Sequence, residues 1–274
     1  MKFSIFFDHL KEINEKENVK YSELFNFLKN HGINAVDIDY KLVLNKNDLV
    51  EKILLSSIKI SSAFFMINGR LESDRSQIKE LIFWANKMKV TKILLLFPDL
   101  SIEEANWLNI NKDNKVKIWD YFNNNIIIQN IIEVLQYAVN EGKKKDVQIM
   151  IENYDSIKSV FAYSNEIDYF LNKVQGLFLC LDTGNSILFD ENITNFIDAY
   201  SNKIIHVHLK NRKKDKNDNL KICSIGNGII NVQLVIDALE KLTYSGFYSI
   251  EHYDVSNQTL AVKESVKFCN KLNK

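Results

Sequence analysis

Val147-Gln148-Ile149-Met150-Ile151-Glu152-Asn153-Tyr154 is an apolar run that stops on a carboxylate, Glu152. A short, continuous run of this kind suits a strand of a parallel sheet whose faces are both covered. Three later runs end in the same way: Leu177–Asp182, Ile204–His208 and Phe247–Glu251. Each stops on a group able to bind a divalent cation. Their ends lie roughly 25 to 45 residues apart, the length of one strand-plus-helix unit with its loops. Parallel strands at this spacing predict a (β/α)8 barrel. Glu152, Asp182, His208 and Glu251 then converge at its C-terminal face, where barrel enzymes keep their chemistry.

The rest of the chain extends the alternation. Apolar runs at Phe3–Phe7, Ile33–Ile38, Ile58–Phe64 and Lys92–Phe97 supply four earlier strands, and the later run at Ile204 extends to Leu209. Helical spacing is expected over Tyr21–Leu28, Asn45–Ser57, Ser73–Lys89, Ile126–Glu141, Ser164–Lys173, Asn192–Ser201, Asn231–Leu242 and Ser256–Leu272, with Ser73 as an N-cap. The segment Asp99–Asn125 carries Trp107, Trp119, Tyr121 and Phe122 among polar residues. It reads either as a lid over the catalytic face or as an extended start to the next helix with its aromatics packed on the barrel. No linker or low-complexity tract divides the chain, so residues 1–274 are read as one α/β domain, a single TIM barrel.

Composition narrows the function class. The 274 residues hold 35 Lys and Arg against 35 Asp and Glu. This balance disfavours a protein that grips nucleic-acid backbones and suits an enzyme of small neutral or weakly charged molecules. Three separated cysteines, Cys180, Cys223 and Cys269, fit neither a disulfide framework nor a thiolate zinc site, and match a reducing compartment. The apolar start of the chain is too short for a signal sequence, and no run approaches the ~18 apolar residues of a membrane span. A cytoplasmic protein with no membrane partner is expected; a homo-oligomer is left open.

Parity sharpens the site. Residues two apart on a strand share a face, so Glu152 lies with Met150 and Gln148, Asp182 with Cys180 and Phe178, and His208 with His206. The alternate residues, Ile149, Ile151, Leu179, Leu181, Val207 and Leu209, suit the helical jacket. Polar groups therefore point inward, where an unpaired charge is costly. Three carboxylates in one cavity repel each other unless a cation joins them, and one divalent ion resolves this. Mn²⁺ is the first expectation for three carboxylates and an imidazole, with Mg²⁺, Co²⁺ or Zn²⁺ as alternatives.

Further stretches carry a family resemblance: Ile151-Glu152-Asn153, Leu181-Asp182-Thr183-Gly184-Asn185, Ile205 through Asn211 (IHVHLKN), Ile225-Gly226-Asn227-Gly228-Ile229-Ile230 and Tyr244 through Glu251 (YSGFYSIE). Together they resemble the xylose isomerase-like TIM barrels, the sugar phosphate isomerase/epimerase superfamily that includes an endonuclease IV branch. The N-terminal half is similar only through Gly32 to Ile38. The resemblance implies one divalent metal on Glu152, Asp182, His208 and Glu251. It also implies that Glu152 and Glu251 move a proton on a small sugar or hydroxy-ketone. A metal on the ketone oxygen and its neighbouring hydroxyl stabilises an enediolate, and two carboxylates on opposite sides remove and return the proton. Return to the same carbon epimerises, return to its neighbour isomerises, and loss of a β-hydroxyl gives a dehydratase of the inosose or dehydroshikimate type.

One departure from the family pattern stands at Asn185, where many of the epimerases carry His. Asn185 can bind a substrate hydroxyl but cannot act as an acid near neutral pH. No Asp-x-His pair follows His208, which argues against the endonuclease branch, and a non-catalytic carbohydrate-binding barrel is the remaining reading from another class. Lys210, His9 and Asp37 are substrate-binding candidates beside Asn185, with a rim salt bridge as the alternative for Lys210. His206 reads as a support for a metal ligand or as a satisfied core residue. His31 reads as a last-turn helix residue, and His252 as facing helices or rim. The basic run Arg212–Lys216 reads as a solvated loop or a phosphate clamp, and Gly226-Asn227-Gly228 as a turn into the next helix.

Overall fold

The computed structural model describes residues 1–45, 47–68, 71–189 and 191–272. Its strands are β1 (Lys2–Phe6), β2 (Ile33–Asp39), β3 (Lys59–Met66), β4 (Lys92–Leu96), β5 (Gln148–Glu152), β6 (Phe178–Asp182), β7 (Ile204–Leu209), β8 (Asn211–Lys214), β9 (Leu220–Cys223) and β10 (Phe247–Ile250). Eight close a parallel barrel in the order β1-β10-β7-β6-β5-β4-β3-β2. All eight barrel strands coincide with the apolar runs of the sequence. Continuous hydrophobicity is the signature of a strand covered on both sides, and it needs no partner to be recognised. No helix among the described residues is long and apolar enough to cross a membrane.

Two compact units can be distinguished by contact density, and each has its own internal logic. The first comprises Met1–Ser62, Leu181–Gly184 and Ile193–Lys274. Here β1 runs directly into a helix, Phe7–Glu17, which buries Phe7, Leu10 and Ile13 and ends where Asn18 takes a left-handed conformation. Its polar residues interrupt the apolar stripe, so periodicity did not reveal it. The helix after β2 also differs from expectation, forming two pieces, Tyr40–Asn45 and Asn47–Leu55, with residue 46 outside the described residues. Arg212–Lys214 of the basic run lie in a β-strand: β8 pairs antiparallel with β9, Arg212 opposite Ile222 and Lys213 opposite Lys221. Gly226 has φ of +90°, confirming the turn. A Cβ on Gly228 would lie 2.0 Å from Asn211 Oδ1, the atom that accepts from Ile230 N.

The second unit comprises Ala63–Cys180 and Asn185–Asn192. Its helix Leu71–Lys87 begins two residues before Ser73, which sits inside the first turn and is not the N-cap. The 99–125 segment folds as two helices, Ile102–Asn111 and Lys115–Asn124, ahead of the helix Ile126–Lys143. Ser101 and Glu104 cap the first reciprocally, and Asn125 caps the long helix. The aromatics hold this excursion down. Trp107 packs on Tyr121 at 4.6 Å, the Trp119 indole donates to Asn165 O at 3.1 Å, and Phe122 is fully buried against Tyr169 and Phe170. The segment is therefore a packed helical extension, closer to the second of its two sequence readings.

Helix Ser164–Lys173 opens on Glu166, whose carboxylate accepts from Ala162 N at 2.9 Å and Tyr163 N at 3.1 Å. Burial pushes its carboxyl from 4.5 up to about 8, outweighing those two donors, and the neighbouring Glu191 adds to the rise. The unfolded chain therefore ionises this group while the folded chain keeps it protonated. Its contribution to stability is full below about pH 4.5 and is lost as pH rises toward about 8. Urea midpoints at pH 5 and pH 8 should show this loss in the wild type and a smaller one in Glu166→Gln. Equal losses in both would assign the pH dependence to another group.

Candidate metal centre

The first unit gathers most of the polar strand ends. Asp37 stands on β2, His206 and His208 on β7, Asp182 ends β6, and Glu251 follows β10; all five are buried. Ser249 on β10 lies level with His208 on β7, and Glu251 N donates to Leu209 O at 3.0 Å, so the ladder carries Glu251 just past His208. Asp182, His208 and Glu251 offer ligand atoms within 4.8 Å of one another. His208 Nδ1 lies 3.1 Å from Glu251 Oε2.

Lys210 is the cation among these carboxylates. It is 3% exposed, and its Nζ lies 2.9 Å from Asp182 Oδ2 and 2.7 Å from Glu251 Oε1. Burial alone would raise the Glu251 carboxyl, but Lys210 and His208 outweigh it and hold the group well below the usual carboxylate range. The Asp182-Thr183-Gly184 turn fixes this arrangement. Thr183 Oγ1 donates to Lys210 O at 2.7 Å and accepts from Lys210 N at 2.9 Å, while Gly184 N donates to Asp182 Oδ1 at 2.8 Å.

Beneath His208 lies a buried histidine–carboxylate pair. His206 Nε2 is 2.6 Å from Asp37 Oδ2, Ser61 Oγ donates to Asp37 Oδ1, and His208 Nε2 lies 3.6 Å from Asp37 Oδ2. Burial opposes ionisation of Asp37, yet His206 and His208 hold its carboxyl far below the ordinary range. Asp37 is enclosed by these partners, and His206 lies on the inward face that its parity suggested, fully buried against Asp37. On the other side Phe6 meets His208 edge-on at 4.8 Å, and Tyr253 meets Phe6 at 5.6 Å. His9 stacks on His252 at 4.5 Å and accepts from His252 N at 3.0 Å. Burial lowers the pKa of both rings, to about 4 for His252, so the pair is neutral near pH 7. His9 therefore belongs to a buried aromatic wall rather than an open rim.

In the second unit Glu152 ends β5 and is buried. Asn185 Nδ2 is 3.4 Å from Glu152 Oε1 and donates to Asn153 O at 2.8 Å, and Asn153 Nδ2 donates to Ser186 Oγ at 3.3 Å. Asn185 thus orients the end of β5. Periodicity missed Ser61, Thr183, Phe6 and Tyr253. Thr183 was legible beside Asp182, whereas Ser61 and Phe6 look like ordinary strand residues. The basic run contributes Arg212, whose Nε donates to Gly184 O at 2.8 Å.

The molecule is thus a closed parallel barrel with buried carboxylates and histidine at its strand ends, the position where barrel enzymes keep their chemistry. The family model described as the xylose isomerase-like TIM barrel matches residues 67–272, and the chain belongs to that family. No curated protein matches it. Solved structures share the fold at low identity. A probable 3-DHS dehydratase, AsbF, from Bacillus anthracis has a TM-score of 0.72 at 12% identity, covering 98% of each chain. The IOLI protein with a bound zinc atom has a TM-score of 0.71 at 15% identity, covering 100% of this chain and 97% of that one. A D-tagatose 3-epimerase-like protein has a TM-score of 0.67 at 17% identity, covering 100% of both. Family neighbours thus include epimerases, isomerases and dehydratases.

The Asp37–His206 pair yields a direct test. Asp37→Asn should destabilise the protein by roughly 1–5 kcal/mol in urea unfolding, the upper end applying where His206 is protonated and loses its counter-charge. A loss below about 1 kcal/mol would mean that the pair is not ionic.

Proposed function

We propose that the chain is a divalent-metal-dependent isomerase or epimerase of a small polyhydroxylated ketone, acting through an enediolate. The observation that carries this reading is the approach of Asp182, His208 and Glu251 within 4.8 Å. Glu152, which ends the strand next to β6 in the barrel order, is proposed as the fourth ligand. Hard oxygen donors with one imidazole fit Mn²⁺ first, and Mg²⁺, Co²⁺ or Zn²⁺ after it. When bound, such an ion supplies a Lewis acid that polarises the ketone oxygen and acidifies the neighbouring C–H.

The chain's own residues do the rest. Glu251 is proposed as the carboxylate that accepts the substrate proton. Glu152, oriented by Asn185, is its counterpart for the return. Lys210 offers an ammonium to a substrate oxygen, and Phe6 with Tyr253 supplies an apolar wall that limits water.

A dehydratase is the second reading. Asn185, engaged with Glu152 and the Asn153 carbonyl, stands where many of the family's epimerases carry His, which weakens the case for a ketose 3-epimerase in particular. The product separates the two, since isomerisation conserves mass and dehydration loses water.

After re-equilibration with Mn²⁺, wild-type protein should hold about one ion per chain, and Asp182→Asn should bind it more weakly. Metallated wild type in D₂O should place deuterium on a carbon next to the carbonyl of a ketose substrate. Glu251→Gln should slow this by about 10²–10⁴-fold. Absence of a specific ion from the wild type would sink the reading. Tight sugar binding without deuterium uptake in fully metallated protein would instead support a non-catalytic barrel.

A further inference from the structure

The four oxygens of Asp182 and Glu251 are already divided among partners. Asp182 Oδ1 accepts from Gly184 N, Glu251 Oε2 faces His208 Nδ1, and Asp182 Oδ2 and Glu251 Oε1 both lie on the Lys210 ammonium. The two oxygens held by Lys210 belong to carboxylates proposed above as metal ligands. The side chain does not reach them by chance. Thr183 clasps the Lys210 backbone at both its N–H and its carbonyl. The stem then lies along Gly184, where a Cβ would stand 2.7 Å from Lys210 Cγ and 2.9 Å from its Cβ. Asp182, Thr183 and Gly184 are consecutive, so one turn sets both the ligand and the cation beside it.

We propose that Lys210 is a built-in counter-cation that opposes the divalent ion and thereby sets the metal affinity of the site. This rests on the metal reading above and goes beyond it. An ammonium and a divalent ion sharing the same two carboxylates repel each other strongly where solvent screening is weak. Loading the metal therefore means loosening the ammonium from Asp182 and Glu251. The arrangement has a stability rationale as well: two buried carboxylates at close range are costly without a cation, and Lys210 offsets part of their charge in the metal-free chain. Lysine suits the role because its charge is compact and its stem flexible, so the ammonium can move while the Thr183 clasp holds the backbone. Once displaced, it remains next to the site and can meet a substrate oxygen.

Mn²⁺ titration of the whole chain by calorimetry tests this, with wild type, Lys210→Met and Gly184→Ala compared. Lys210→Met should bind Mn²⁺ about tenfold or more tightly than wild type, because the opposing charge is gone. Gly184→Ala retains the ammonium but pushes its stem off the turn, so affinity should rise in the same direction by a smaller factor. This variant keeps the test decisive if Lys210→Met does not fold. Melting curves give a second readout: metal-free Lys210→Met should melt below wild type, and added Mn²⁺ should raise its Tm by more than it raises the wild type's. Unchanged or weaker Mn²⁺ binding in the folded variants, with wild type binding normally, would overturn the role of Lys210 and leave the metal site intact. Failure of wild type and variants alike to bind Mn²⁺ would overturn the metal site and this role together.

Discussion

Buried negative charge is the constraint from which the first unit is built. Asp37, Asp182 and Glu251 are all removed from water, and each would be costly to ionise alone. Each is answered by buried partners: His206 and Ser61 at Asp37, the Gly184 amide at Asp182, His208 at Glu251, and Lys210 shared between the last two. The low position of the Asp37 and Glu251 carboxyls shows that these partners win over burial. Much local detail then follows, including the Thr183 clasp, the bare Gly184 and the serine on β3.

The second unit solves a different problem. Its excursion between β4 and β5 inserts two extra helices, and it anchors them with aromatic side chains and caps rather than charge. Phe122, Tyr169 and Phe170 form the buried centre, and Glu104 ties the Ser101 cap to Tyr121 and Asn125. Glu166 is the exception, a carboxyl kept protonated by burial while it still accepts two backbone N–H groups. At the end of β5, Asn185 and Asn153 form a small amide network around Glu152. In this unit hydrogen bonds fix orientation and apolar area supplies stability.

Membership of the xylose isomerase-like family fixes the scaffold and leaves the chemistry to the strand ends. Barrels that share a fold at 12–17% identity include a probable dehydratase and an epimerase-like protein. Such divergence is expected when the catalytic groups sit on loops and strand termini that change independently of the packed strands. Here Asn185, which orients Glu152, departs from the family pattern, and Lys210 lies on two carboxylates.

The barrel strands were legible because each is apolar on both faces, a property written locally in the residues. Glu152, Asp182, His208 and Glu251 were legible because each interrupts such a run at its end. His206 was placed by parity alone, two residues before His208. Other features needed the third dimension. The helix after β1 has too mixed a stripe for periodicity to find it. The basic run looks like a solvated loop until β9 pairs with it. Asp37 and Ser61, 24 residues apart, meet only because β2 and β3 bring them together, and His206 reaches Asp37 across 169 residues. The sequence by itself determined which side chains face inward and which strand ends carry carboxylates or histidine, because alternation and spacing are local. Only the tertiary structure decided which charge answers which, because a pairing depends on distances between residues far apart in the chain.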